Sequence, residues 1–108
     1  MRGETGPRQY AVLWREGNDS VSVGRLDVNQ DALRLKGTER GGDSRQCDVP
    51  LATIRAVRIE RMGSERLQGM PTLVVERYAA DPVLIAQATG IGAIHELADL
   101  LALTLPAA

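Results

Sequence analysis

The sequence predicts a mainly β protein: a bent antiparallel β-sandwich or partly open barrel of about seven strands, capped by one C-terminal α-helix. Three observations predict it. Short runs between Gln9 and Ala86 alternate apolar and polar residues, the period of a strand with one face buried. Turn-forming residues separate these runs at a spacing of about 8–12 residues. Beyond Gln87 the period lengthens to that of a helix.

The elements follow in order. Residues 1–7 read as a loose arm, 8–105 as one domain and 106–108 as a tail. From Gln9, Tyr10, Val12 and Trp14 share one face and Ala11, Leu13 and Arg15 the other, which is a strand. Gly17-Asn18-Asp19 turns the chain. Val21 to Val28 is a second strand whose apolar phase shifts at Gly24, so a bulge or sharp bend is expected there. Asn29-Gln30-Asp31 is a tight turn, and Ala32 to Lys36 is a short strand with Leu33 and Leu35 inward. Gly37 to Ser44 reads as a mobile hairpin tip. Arg45 to Leu51 alternates through Cys47, Val49 and Leu51, and Pro50 makes it end there or lie at an edge. Ile54 to Arg61 is the next strand, with Val57 and Ile59 set against Arg58 and Glu60. A polar connection from Gly63 to Gly69 leads to Thr72–Arg77, which is β-branched and apolar. Ala79-Ala80-Asp81-Pro82 turns into a last short strand, Val83 to Ala86.

At 100° per residue from Ile91, Ile94, Leu97, Ala98, Leu101 and Leu105 fall in one sector, with His95, Glu96 and Asp99 opposite. Thr89 is placed to cap this helix and Pro106 to limit it. Its apolar stripe is expected to plug the open mouth of the β-structure through Ile94, Leu97 and Leu101.

Composition narrows the function. The 108 residues carry 13 basic and 14 acidic side chains, a net charge of -1. No overall field draws in nucleic acid or an anionic membrane. One Cys and one His build neither an internal disulfide nor a zinc site, so no metal or cofactor is expected. The N-terminus has no apolar leader. Pro82 to Leu105 is broken by Gln87, Thr89, two glycines, His95, Glu96 and Asp99, so it is no membrane span. A cytoplasmic setting with Cys47 reduced is the expectation. Phe is absent, and every basic residue but Lys36 is Arg. Scattered and matched by acids, these arginines are more simply a product of coding bias than an anion site.

Two stretches carry a resemblance. Gly24-Arg25-Leu26-Asp27-Val28, a turn and Leu33-Arg34-Leu35 form one; Val49-Pro50-Leu51-Ala52-Thr53-Ile54-Arg55-Ala56-Val57 forms the other. Together with the element order over about residues 8–105, they resemble the bacterial pleckstrin-homology-like (PH-like) and GRAM-like domains. The resemblance implies the curled seven-stranded fold with its closing helix. In phosphoinositide-binding members a basic residue late in the first strand works with two on the second. Arg15 and Arg25 match, whereas Asp27 stands at the third position. The only Trp, Trp14, is in the first strand rather than in the helix.

Several groups are candidates for chemistry. Arg15, Arg25, Arg34 and Lys36 could share one outward face as a basic stripe for phosphate or a lipid headgroup; Glu16, Asp19, Asp27 and Asp31 nearby make it equally an ordinary solvated surface. His95, Glu96 and Asp99 read as a polar helix face rather than a metal site. Cys47, next to Asp48, reads as a small core residue. Gly90-Ile91-Gly92 lacks the third glycine, the Lys and the βαβ frame of a phosphate loop. Leu100 and Leu103, at the margin of the apolar sector, offer a patch to another chain.

No nucleophile–base arrangement suggests an enzyme. The expectation is a non-catalytic interaction module that docks a protein partner, with self-association its simplest form and strand addition its first mechanism. The second reading is an anionic headgroup or phosphate binder using the Arg stripe, in which membrane contact is not favoured. The third is a small-molecule binder with an internal pocket.

Overall fold

The computed structural model describes residues 8–39, 41–62 and 66–87, together with Glu96, Ala98, Asp99 and Leu101. The alternating runs form seven strands: β1 Arg8–Glu16, β2 Ser22–Val28, β3 Ala32–Glu39, β4 Ser44–Pro50, β5 Ile54–Glu60, β6 Thr72–Arg77 and β7 Val83–Gln87. They make one antiparallel sheet in the order β4-β3-β2-β1-β7-β6-β5. Every neighbour pair is a local hairpin except β1–β7, in which Glu16 pairs with Val83 and Val12 with Gln87. That pairing places β1 at the centre and leaves β4 and β5 as the two edges.

The sheet curls into a half-barrel. Val49 near one edge and Ile54 at the other belong to the same buried cluster as Val12, Trp14, Leu26, Leu35, Leu73 and Ile85. A flat sheet cannot bring its two edges to one core. The expected bent sandwich or partly open barrel takes the form of one curled antiparallel sheet, a half-barrel. At the corner between β4 and β5, a 3-10 turn over Leu51–Thr53 and the buried Leu51 and Ile54 anchor the chain to this core. Leu51 N–H also donates to Asp31 O at 2.8 Å.

The expected C-terminal capping helix is also corrected: no α-helix is among the elements that the described residues form. Of the span 91–105, only Glu96, Ala98, Asp99 and Leu101 are described; their backbone is helical, but these separate positions do not constitute an element. Ile94 and Leu97 lie outside the described residues. Leu101 is 1% exposed within the inner cluster, Ala98 packs against that cluster, and Tyr10 Oη donates to Glu96 Oε1 at 3.0 Å.

Gly24 is not a bulge. Ser22, Gly24, Leu26 and Val28 keep one phase, pairing in unbroken register with Trp14, Val12, Tyr10 and Arg8. The apparent shift arose because Val21 and Val23 belong to the outer face. Gly24 instead stands opposite Gly37 of β3, where the two backbones come very close. The register irregularity of the sheet is in β5, between Ile54 and Ala56. The Gly37–Ser44 tip is also shorter than expected, since Gly37, Thr38 and Glu39 continue β3.

The connection before β6 is more than polar. Leu67 and Met70 close a tight turn in which Gln68 and Gly69 have φ of 52° and 75°, as a two-residue hairpin turn of this hand requires. Leu67 packs there with Leu13, Val74, Leu84 and Ala86, forming a second core on the outer face. Thr72, fully buried, fixes the turn: its Oγ1 accepts from Leu67 N–H and donates to Met70 O, both at 2.8 Å. This explains why β6 and β7 are apolar on both faces.

Candidate functional site

The outer face of β2, β3 and β4 carries most of the predicted basic stripe. Arg25 pairs across strands with Lys36, and Asp27 with Arg34, which in turn faces Asp48. Arg25, Arg34 and Lys36 are thus brought together. Carboxylates are interleaved among them: Arg25 Nε lies 3.1 Å from Asp27 Oδ1 and Arg34 Nε 3.4 Å from Asp48 Oδ1. The Arg25–Asp27 contact is an ion pair without hydrogen-bond alignment, because Asp27 Oδ1 is buried with no hydrogen-bond donor. Arg15 stands apart, four residues along β1 from Ala11, the partner of Arg25, which is about 13 Å of strand. Its Nε donates to Gly17 O at 2.9 Å. The surface is a lattice of alternating charge rather than a concentrated cationic field.

Leu100 and Leu103 lie outside the described residues, as do His95, Thr89 and Gly90-Ile91-Gly92. Among the described residues no cluster of three or more His, Cys, Asp or Glu side chains could hold a metal ion. No helix among them is long and apolar enough to cross a membrane.

One end of the inner face is closed by ions, which alternation alone did not signal. Arg77, its side chain 9% exposed, donates from Nη2 to Glu16 Oε2 at 2.8 Å and from Nε to Asp81 O at 2.7 Å. Nearby, Arg45 bridges Glu39 at 2.6 Å and Asp19 at 2.9 Å, and these carboxylates raise its already high pKa. Cys47 is buried beside the first of these pairs. Burial, then the charge of Glu16, push its thiol pKa up, opposed by Arg77. Burial and the raised pKa both disfavour the thiolate at this position.

The sign of that shift sets a pH effect. The folded state holds the Cys47 proton more tightly than the unfolded state does. Its contribution to stability is complete below the unfolded thiol pKa and is lost as pH rises through the folded one. Within that window the loss approaches about 1.4 kcal/mol per pH unit. Urea unfolding across alkaline pH should show wild type losing stability faster than Cys47→Ala; parallel profiles would contradict the shift.

The β5 edge collects exposed charged and apolar side chains. On its outer side, Arg55 and Arg58 both reach Glu76 of β6, the latter at 3.2 Å, and Arg58 also pairs with Glu60. With Arg77 and Pro82, these arginines line a shallow cavity of about 200 Å³. On the inner side, Val57 and Ile59 are only partly buried against the core. Met62 follows β5 at 75% exposure. Tyr78, 70% exposed, is held near the strand's start by its N–H to Thr53 O at 3.1 Å. A second opening of about 530 Å³ lies on the outer face over Val21 and Val23, rimmed by Thr38, Glu39 and Gln68. The signal for the β5 site was in the sequence as Arg58 and Glu60 alternating with Val57 and Ile59. Its position as an edge was not.

Among the described residues, the strands form a curled antiparallel half-barrel with the charged strand β5 at one edge. No family model matches the sequence, and no curated protein matches it.

Proposed function

We propose that this chain is a non-catalytic interaction module, PH-like in build, that docks an extended segment of a protein partner on the free edge of β5. One observation carries this reading. Among the described residues β5 has a strand neighbour on one side only, β6. The backbone groups on its other side form a template for an added strand. Arg, Tyr and Met, types enriched at protein interfaces, stand beside that edge as Arg55, Arg58, Tyr78 and Met62. The β4 edge is less suited, because it ends in Pro50, which lacks an N–H. The PH-like likeness draws support from the strand succession: its two stretches fall on β2–β3 and on the β4–β5 corner.

Backbone amide shifts in NMR test the proposal, with a capped alternating Thr–Val peptide as one probe and inorganic phosphate as the other. The expected result is that the peptide moves the amides of Val57 to Glu60 and that phosphate moves none strongly. Shifts from phosphate at Arg25, Arg34 and Lys36, with β5 silent to peptide, would replace this reading by the anion-binding one.

A further inference from the structure

We infer that the segment β5 accepts is β5 of a second copy of this chain, paired antiparallel about a two-fold axis through Ile59. This rests on the free-edge reading above and specifies its partner. When two copies of one strand add across a two-fold axis normal to the sheet, inner faces continue inner faces. Residues directly opposite then share a face, so the axis must pass through a residue rather than between two.

Five such centres lie along the regular part of β5, Ala56 to Glu60, and one at Ala56 runs half of the pairing into the irregularity at Ile54/Ala56. A centre at Arg58 sets Arg58 against its own copy, and a centre at Glu60 does the same with two carboxylates. Like charges directly opposite each other destabilise a sheet. A centre at Val57 sets Arg58 against Ala56 and leaves Glu60 against Ile54. A centre at Ile59 alone matches charge: Arg58 faces the second copy's Glu60, and Glu60 faces the second copy's Arg58.

The matched contact is confined to Arg58, Ile59 and Glu60, since Val57 stands opposite the second copy's Arg61, past the end of β5. Ile59, partly buried on the inner face, meets the second copy's Ile59 and extends the core. Within one chain Arg58 already pairs with Glu60 and Glu76, so the dimer prolongs an existing ion lattice. The end of β5 at Glu60 limits the pairing, which keeps the contact short and the dimer dissociable. Because the interface is the same patch on both copies, it closes at two and builds no filament.

Sedimentation equilibrium from about 10 μM to about 1 mM, the range in which a short contact of this kind dissociates, tests the inference. Wild type should pass from monomer to dimer. Arg58→Glu and Glu60→Arg should each weaken association by about tenfold or more, since each sets like charges opposite twice. A mixture of the two single variants should associate, and the double variant should regain the wild-type dimer. Far-UV circular dichroism checks that each variant folds. Should one not fold, concentration-dependent protection of the wild-type β5 amides from exchange remains as the readout. A wild type that stays monomeric throughout overturns the inference, and so does a dimer indifferent to both substitutions. If wild type is monomeric while the Thr–Val peptide still shifts the β5 amides, the edge reading survives and only the second copy is excluded.

Discussion

Gly24→Ala should cost this protein about 3 kcal/mol or more, a large part of a total stability typically about 5–15 kcal/mol. A Cβ built on Gly24 would lie 2.0 Å from Lys36 O and 2.5 Å from Gly37 Cα. Both atoms are backbone, so no side-chain rotation relieves the contact. Either β2 and β3 separate locally, breaking ladder bonds between them, or the curl opens and Trp14 loses its seat. For a domain of this size the melting temperature should fall by about 12 °C or more. Gly37→Ala should be milder, because its Cβ would come no closer than 2.8 Å to Val23 O and 3.0 Å to Trp14 Nε1. Thermal unfolding of both variants beside wild type measures this. Equal melting temperatures for Gly24→Ala and wild type would show that the backbones are not so close.

Trp14→Ala should cost about 3–5 kcal/mol, the range for removing a large buried aromatic side chain. Trp14 is 1% exposed in the inner cluster, and its Nε1–H donates to Lys36 O at 3.1 Å. Truncation leaves a cavity lined from several strands and removes the donor from a carbonyl at the tightest point of the sheet. Trp14→Phe keeps most of the apolar volume and loses the hydrogen bond, so a smaller loss of about 1–2 kcal/mol is expected. Denaturant unfolding followed by far-UV circular dichroism gives both values, since the variants lack the only Trp. A Trp14→Phe variant as unstable as Trp14→Ala would assign the effect to the hydrogen bond rather than to packing.

The two effects share a cause. Gly24 and Gly37 remove side chains where β2 and β3 approach, and the indole of Trp14 lies against that gap. This small-against-large arrangement lets the indole pack where the two backbones are closest. It also explains why Gly24 reads as a phase shift in sequence. The inner face continues through a residue with no side chain, and the neighbouring valines on the outer face take over the apolar signal.

The candidate site was legible to a lesser extent than the strands. Arg25, Arg34 and Lys36 share a face as alternation implies, and so does Asp27 beside Arg25, but the pairing of Arg34 with Asp48 depends on register. The ion pairs of Arg77 with Glu16 and of Arg45 with Asp19 join residues distant in sequence. No local pattern encodes them. Leu67 was hidden for a related reason: one leucine in a polar connection carries no period, and its burial needs Val74 and Leu84 beneath it.

By itself the sequence determined where the strands run and which way their side chains point. Tyr10, Val12 and Trp14 against Leu13, or Leu33 and Leu35 against Arg34, state it residue by residue, because the period of two is a property of each strand's own backbone. Tertiary structure alone decided that β1 joins β7, that all seven strands share one curled sheet, and that β4 and β5 are left as edges. Those choices are set by contacts between residues far apart along the chain, whose free energy exists only once the strands have come together.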